Sequence, residues 1–205
     1  MRVLVACEFS GVVRRAFRDR GHDAWSCDLL PAEDGSPHHI EGDVLGVLGK
    51  GWDLMVAHPP CTYLCSMGIW WNAKRPERWA QTIQALEFVK NLWLAPISKI
   101  AVENPIGYLS KNWLSPSQLI HPWQFGHEAS KPTCLWLHNL PPLWPTSIRP
   151  RGEFYTKKNG SRMAKWSHKA SGTRKAERAR IASRTFPGIA AAMAEQWGKD
   201  GRASH

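Results

Sequence analysis

A thiol and a carboxylate are the reagents this sequence offers most plainly. Cys61 follows two prolines in "DLMVAHPPCTYLCS" (53–66), and Glu103 closes the apolar run of "SKIAVEN" (98–104). A cysteine attacks as its thiolate. A carboxyl group at the end of an apolar strand needs a partner or a raised pKa, and such sites are often functional. Cys65 stands four residues beyond Cys61, so a metal reading must be weighed. His58, Cys61 and Cys65 could bind zinc, but no second Cys/His pair lies nearby to complete four ligands, and no metal is expected. Other acids sit earlier in the chain. Asp28 lies about 20 residues beyond the Ser10-Gly11 turn, where an acid can hydrogen-bond a ribose hydroxyl or simply end a strand in solvent. Asp43, in "GDV" (42–44), suits a turn as well as a ligand. Ser10-Gly11 is not G-x-G-x-x-G, so a pyrophosphate cradle is not supported.

The elements that must carry these residues alternate. "RVLVACEF" (2–9), "HDAWSCDLL" (22–30), "WDLMVAH" (52–58) and "SKIAVEN" read as strands, the last two halted by Pro59 and Pro105. "VVRRAFRDRG" (12–21) has helical spacing. "PERWAQTIQALEFVKNLWLA" (76–95) is the clearest helix, with Trp79, Ile83, Leu86, Val89 or Lys90, and Trp93 on one stripe. This order predicts an α/β domain with a mostly parallel sheet, in which ligands bind beyond the carboxyl ends of the strands. Every candidate above lies at such an end. Further on, "WQFG" (123–126) and "CLWLHNL" (134–140) suggest a hairpin at the sheet edge. Residues 150–172 read as irregular and basic, "TRKAERARIAS" (173–183) as a basic helix and "PGIAAAMAEQW" (187–197) as a small-residue helix that packs closely. Most of the twelve tryptophans are expected to fill the core, a few to stack on bases.

With 205 residues, the chain is long enough for one full domain and cramped for two. Its net charge is +10, and between Arg149 and Arg184 twelve Lys/Arg stand against two acids, a net +10 in that segment alone. A localised basic stretch on a neutral body is the footprint of a polyanion partner. Lys157, Lys158, Arg162, Lys165 and Arg174 are the candidate phosphate contacts within it. Five scattered cysteines suit a reducing cytoplasm better than a disulfide framework. No apolar run is long enough to span a membrane, and the N-terminus reads as a first strand rather than a signal peptide.

In the order and spacing of its motifs the sequence resembles the cytosine-5 DNA methyltransferases, especially small phage-type members. "HPPC" (58–61) resembles that family's Pro-Pro-Cys nucleophile loop, and "VENP" (102–105) its Glu-Asn-Val motif. "EFSG" (8–11) is similar to the cofactor loop, Asp28-Leu29 and "GDV" to the next cofactor positions, and "TFPGIAAAMA" (185–194) to the C-terminal helix motif. The resemblance implies a Rossmann-like S-adenosylmethionine-dependent methyltransferase fold with a reduced target-recognition region. It implies Cys61 as nucleophile, Glu103 as the acid that holds the base, and Phe9, Ser10, Gly11, Asp28, Leu29, Asp43 and Pro59 around S-adenosylmethionine. Residues 1–140 would form the catalytic core, 141–180 a short basic DNA-contacting insertion, and 181–205 a helix returning to the core. The expected protein is a monomer acting in the cytoplasm, that of a bacterial host if phage-encoded, on double-stranded DNA with the target base flipped out.

Several positions depart from the family pattern. Its Gln after the nucleophile is Thr62 here, and its later Ser aligns with Cys65, which makes Cys65 a packing residue. Its Gln-x-Arg-x-Arg strand appears as "SKPTCLW" (130–136) with Lys131 the one cation, and its C-terminal Gly-Asn is Ala182-Ser183. The stretch between "LHNLPPLW" and "TFPG" is short for a target-recognition domain, which predicts low sequence specificity. Other readings stay open: an amino-methyltransferase, which needs no thiol; a degenerate methyltransferase fold that only binds nucleic acid; and a related enzyme that modifies another base, RNA or a free nucleotide.

Overall fold

Parallel strands buried on both faces read as short apolar runs, as "VLVA" (3–6) and "LMVA" (54–57) do. In a computed structural model, which describes residues 1–156, 160, 162–165 and 184–199, the four predicted strands form β1 (Arg2–Ala6), β2 (Asp23–Asp28), β4 (Leu54–Ala57) and β5 (Lys99–Pro105). With β3 (His39–Glu41), β6 (Gln118–Ile120) and β7 (Thr133–His138) they make a seven-stranded sheet in the order β3-β2-β1-β4-β5-β7-β6. Neighbours from β3 to β5 pair in parallel, and β7 runs antiparallel to both β5 and β6. The fold is α/β with a mostly parallel sheet, compatible with a Rossmann-like architecture.

Successive strand residues alternate between two cores. Leu4, Ala6, Met55, Ala57, Ile100, Val102 and Trp136 face α3 (Trp79–Trp93), which contributes Leu86, Val89 and Leu92. Val3, Val5, Leu54, Val56, Ala101 and Leu135 face α1 (Val12–Arg18) and α5 (Pro187–Trp197), which pack against each other. In α5 the buried Ala190, Ala192 and Ala194 permit that close approach. Residues just past 140 also join the body: Leu143 is buried and exchanges two hydrogen bonds with the Gln118 side chain (2.7 and 2.8 Å).

Four expectations change. The edge hairpin pairs β7 with β6, not with residues 123–126; Pro122, which lacks an N–H for a ladder, starts a 3-10 turn there. The buried stripe of α3 is Thr82, Leu86, Val89 and Leu92, while Trp79 and Ile83 are exposed. The first turn of the helix is buried instead through Thr82, which accepts from Asn72 of α2 (Ser66–Lys74), a helix without an apolar stripe, whose buried residues are Gly68 and Asn72. Tryptophan fills the core less than its abundance suggests: Trp52, Trp136 and Trp197 are buried, but Trp70, Trp71, Trp79 and Trp144 are exposed. The basic segment is not wholly irregular, since β8 (Phe154–Thr156) and β9 (Arg162–Ala164) pair antiparallel. Among the described residues the remaining elements are α4 (Tyr108–Asn112) and short 3-10 turns. The expected basic helix at 173–183 lies outside the described residues.

Candidate active site

The register of β4 and β5 sets Ala57 beside Val102, so the chains leave the sheet with His58 next to Glu103. His58 Nδ1 lies 3.0 Å from Glu103 Oε2, and the two side chains are only 8% and 15% exposed. Burial works to raise the Glu103 pKa. The hydrogen bond from His58 and the positive charge of Lys131 outweigh it and hold the carboxyl below its ordinary value. Of the two possibilities for an acid at this depth, the fold supplies the partner. His58 Nε2 is buried and has no partner among the described residues.

The residues after Glu103 grip the cysteine turn. Asn104 Nδ2 donates to the Pro59 carbonyl (2.9 Å), Tyr108 N to Leu64 O (2.6 Å), and Ser66 Oγ to Ile106 O (3.0 Å). Cys65 forms an isolated bridge with Gly107. A Cβ on Gly107 would run into Leu64 O and the Cys65 backbone, and one on Gly68 into Thr62 O. Glycine is required at both positions by close approach.

Within the turn, Cys65 N donates to Cys61 O at 2.9 Å. One helical turn between them brings the sulfurs to the same side. Cys65 is also the N-cap of α2, where its sulfur accepts from Gly68 N at 3.4 Å. The Cys61 and Cys65 sulfurs interact closely enough to share a proton. That interaction, helped by the Gly68 and Met67 amides and opposed by burial, lowers the Cys65 pKa to about 6. The same interaction raises Cys61, as do its burial and the charges of Cys65 and Glu103, with Lys131 opposing them. Cys65, expected to be packing, thus caps a helix and shares a proton with Cys61.

The cofactor candidates lie on the other side of the proline pair. Asp28, Leu29 and Asp43 converge on a cavity of about 280 Å³ with Cys7, Leu45, Pro60 and Phe88. Burial, then the charges of Asp28 and Asp43, push Cys27 up to about 11 and Cys7 higher still, which marks the cavity as negative. Phe9 and Ser10 line a smaller space of about 40 Å³ with Cys7, His58 and Arg184. Gly11 opens α1 at φ 68, and Pro59 serves through its carbonyl. Cys7, whose φ of 58 is unusual for a residue with a side chain, is the one overlooked wall with a signal at a strand end. Phe88, from α3, had none. Two acids beside Leu45, Phe88 and Pro60 suit a nucleoside that presents hydroxyls, a ring and a positive charge.

Of the candidate nucleic-acid contacts, Lys131 is brought to the site, where its charge acts on both Glu103 and Cys61. Arg162 lies over the Phe154 ring at 4.8 Å, and Lys165 pairs with Glu153 at 3.0 Å. Lys157, Lys158, Arg174 and the Ala182-Ser183 pair lie outside the described residues. Among the described residues no group of His, Cys, Asp and Glu is arranged to hold a metal ion, and no helix is long and apolar enough to cross a membrane. Comparison with protein-family models and with curated proteins finds no match.

Proposed function

We propose that this protein is an S-adenosylmethionine-dependent DNA cytosine-5 methyltransferase of low sequence specificity. One observation carries the reading: a cysteine turn and a buried carboxylate leave adjacent parallel strands, clamped together, beside a nucleoside-sized acidic cavity. Cytosine carbon 5 is too electron-poor to take a methyl group unaided. Cys61 Sγ adds to ring carbon 6 as its proton passes to the Cys65 sulfur, and carbon 5 becomes an enamine-like nucleophile. Glu103, through the proton it shares with His58, holds ring nitrogen 3 and the exocyclic amine and so offsets the negative charge that develops in the ring. S-adenosylmethionine would supply the methyl group, and the residues fit it through Asp28, Asp43 and the Phe88 wall. The carbon 5 proton then leaves to water as the Sγ–C6 bond breaks, and the released Cys61 thiolate takes its proton back from Cys65.

The test is transfer of label from S-adenosylmethionine to DNA, followed by digestion to nucleosides. Label in 5-methylcytosine is expected; label in N4-methylcytosine or N6-methyladenine sinks the proposal. DNA containing 5-fluorocytosine should trap an adduct on Cys61, because no proton can then leave carbon 5.

A further inference from the structure

Beside the cysteine turn, away from the acidic cavity, the surface opens into a groove of about 530 Å³ lined by Thr62, Cys65, Met67, Trp71, Arg75 and Arg78. Its composition is unusual for solvent-facing surface. Trp70, Trp71 and Met67 are 54%, 41% and 70% exposed. Three cations lie over aromatic rings: Lys74 over Trp70 (4.4 Å), Arg75 over Trp71 (5.6 Å) and Arg78 over Tyr63 (4.6 Å). Among the described residues none of the three is paired with a carboxylate, and Glu77 is the one acid between Ser66 and Arg78. The buried Nε of Arg78 has no partner there either.

The elements that carry the groove are tied to one another. Buried Asn72 donates to buried Thr82 (2.8 Å), which donates to Tyr63 O (3.2 Å) and so ties α2, α3 and the cysteine turn together. Rigid indole faces flanked by cations without carboxylate partners match a strand of stacked bases joined by phosphates. An acidic peptide would satisfy the cations and leave the indoles idle; an apolar partner would leave three cations unsatisfied.

We infer that this groove holds the DNA strand next to the reacting base, with Trp71 stacking on a base and Arg75 and Arg78 contacting phosphates. The inference rests on DNA being the substrate. It places strand contacts on α2, at the cysteine turn itself, in addition to any made by the basic segment after Arg149.

Binding of a fluorescently labelled DNA duplex, followed by anisotropy across a salt series, tests it. The double variant Arg75→Ala/Arg78→Ala should flatten the plot of log affinity against log salt by about 2, close to one unit per phosphate. Trp71→Ala should weaken binding by about tenfold or more. Each variant is first shown to melt as the wild type does; a variant that does not is replaced by Arg75→Gln/Arg78→Gln or Trp71→Leu. Wild-type binding with unchanged slope and affinity in the variants overturns the groove while leaving the enzyme reading standing. No duplex binding by the wild type at low salt overturns both. Tighter binding of RNA of the same sequence, or a wild-type dimer that Trp71→Ala dissolves, assigns the groove to another occupant and also overturns the inference.

Discussion

Glu8 and Glu103 are both well-shielded carboxylates near the carboxyl ends of parallel strands, Glu8 two residues past β1 and Glu103 within β5, with only β4 between those strands. Their partners differ in kind. Glu8 accepts from Val13 N (2.7 Å), Arg14 N (3.2 Å) and Ser10 Oγ (3.4 Å), so it closes the amino end of α1 with fixed donors. Glu103 faces His58 and the charge of Lys131, and its own charge acts on Cys61. A buried acid is therefore not a functional sign in itself. What matters is whether its partners are amides that hold it or groups that exchange protons. Glu8 also fills the helix end where a phosphate would otherwise sit, in keeping with the absence of a glycine-rich cradle.

Isosteric and truncating changes should separate the two acids most widely. Glu103→Gln keeps its volume and should cut methyl transfer by about a hundredfold or more, with a stability loss no larger than that of removing the His58 contact, about 1.5–3 kcal/mol. Glu8→Ala strands two buried amide donors and should cost about 2–6 kcal/mol of stability in thermal or urea unfolding. Melting curves and transfer rates that exchange these two patterns would break the comparison.

The next largest effect concerns the strap behind Glu103. Gly107→Ala forces a methyl group against Leu64 O, at a cost of about 1–3 kcal/mol. The loop relieves the clash by moving away from the cysteine turn, so transfer should fall more than stability does. An equal loss of transfer in Lys131→Ala, a change that crowds no backbone, would show that loop geometry is not what matters. Unchanged transfer in Gly107→Ala would remove the strap from the site altogether.

His58→Ala leaves Glu103 with burial and Lys131 alone. Burial then raises the carboxyl, which should appear as an upward move of the Glu103 titration by carbon-13 NMR. The sign follows from the lowered pKa: the dyad stabilises the fold above the ordinary carboxylate range and loses that contribution as pH falls through the folded value. The variant should lose about 1.5–3 kcal/mol at neutral pH and less in acid. A loss that grows in acid contradicts the assignment.

The strands, their proline stops and the placing of Cys61 and Glu103 at strand ends were legible because a doubly wound sheet writes each buried strand as a short apolar run; that the two ends are adjacent was not written there. The partners were not. His58 and Glu103 are 45 residues apart, and nothing local joins them. Helix α2 escaped a periodicity reading because its inward face is Gly68 and Asn72, held by hydrogen bonds and close backbone approach rather than by apolar burial. Trp79 and Ile83 misled for the converse reason: they are apolar at helical spacing, yet both are exposed and the polar Thr82 is the residue that this end of α3 buries.

The smallest effect is also the sharpest measure of what Glu103 does to its surroundings. In the wild type the cysteine pair should show a thiolate step near pH 6 by absorbance at about 240 nm, well below the ordinary thiol value of 9.0. Cys65→Ala removes both the acceptor for the Cys61 thiol and the sulfur at the α2 N-cap. Cys61 then titrates alone, still raised by burial and by the Glu103 charge, so the step near pH 6 should vanish and a single one appear above pH 9. Transfer should fall modestly at pH 7 and recover toward alkaline pH as Cys61 ionises unaided. Adding Glu103→Gln to Cys65→Ala should draw the Cys61 step back down, because the carboxylate charge is gone while the burial remains. If the step stays near pH 6 in Cys65→Ala, the low-pKa sulfur is Cys61 itself, and Glu103 governs the nucleophile less than its partner Lys131 does.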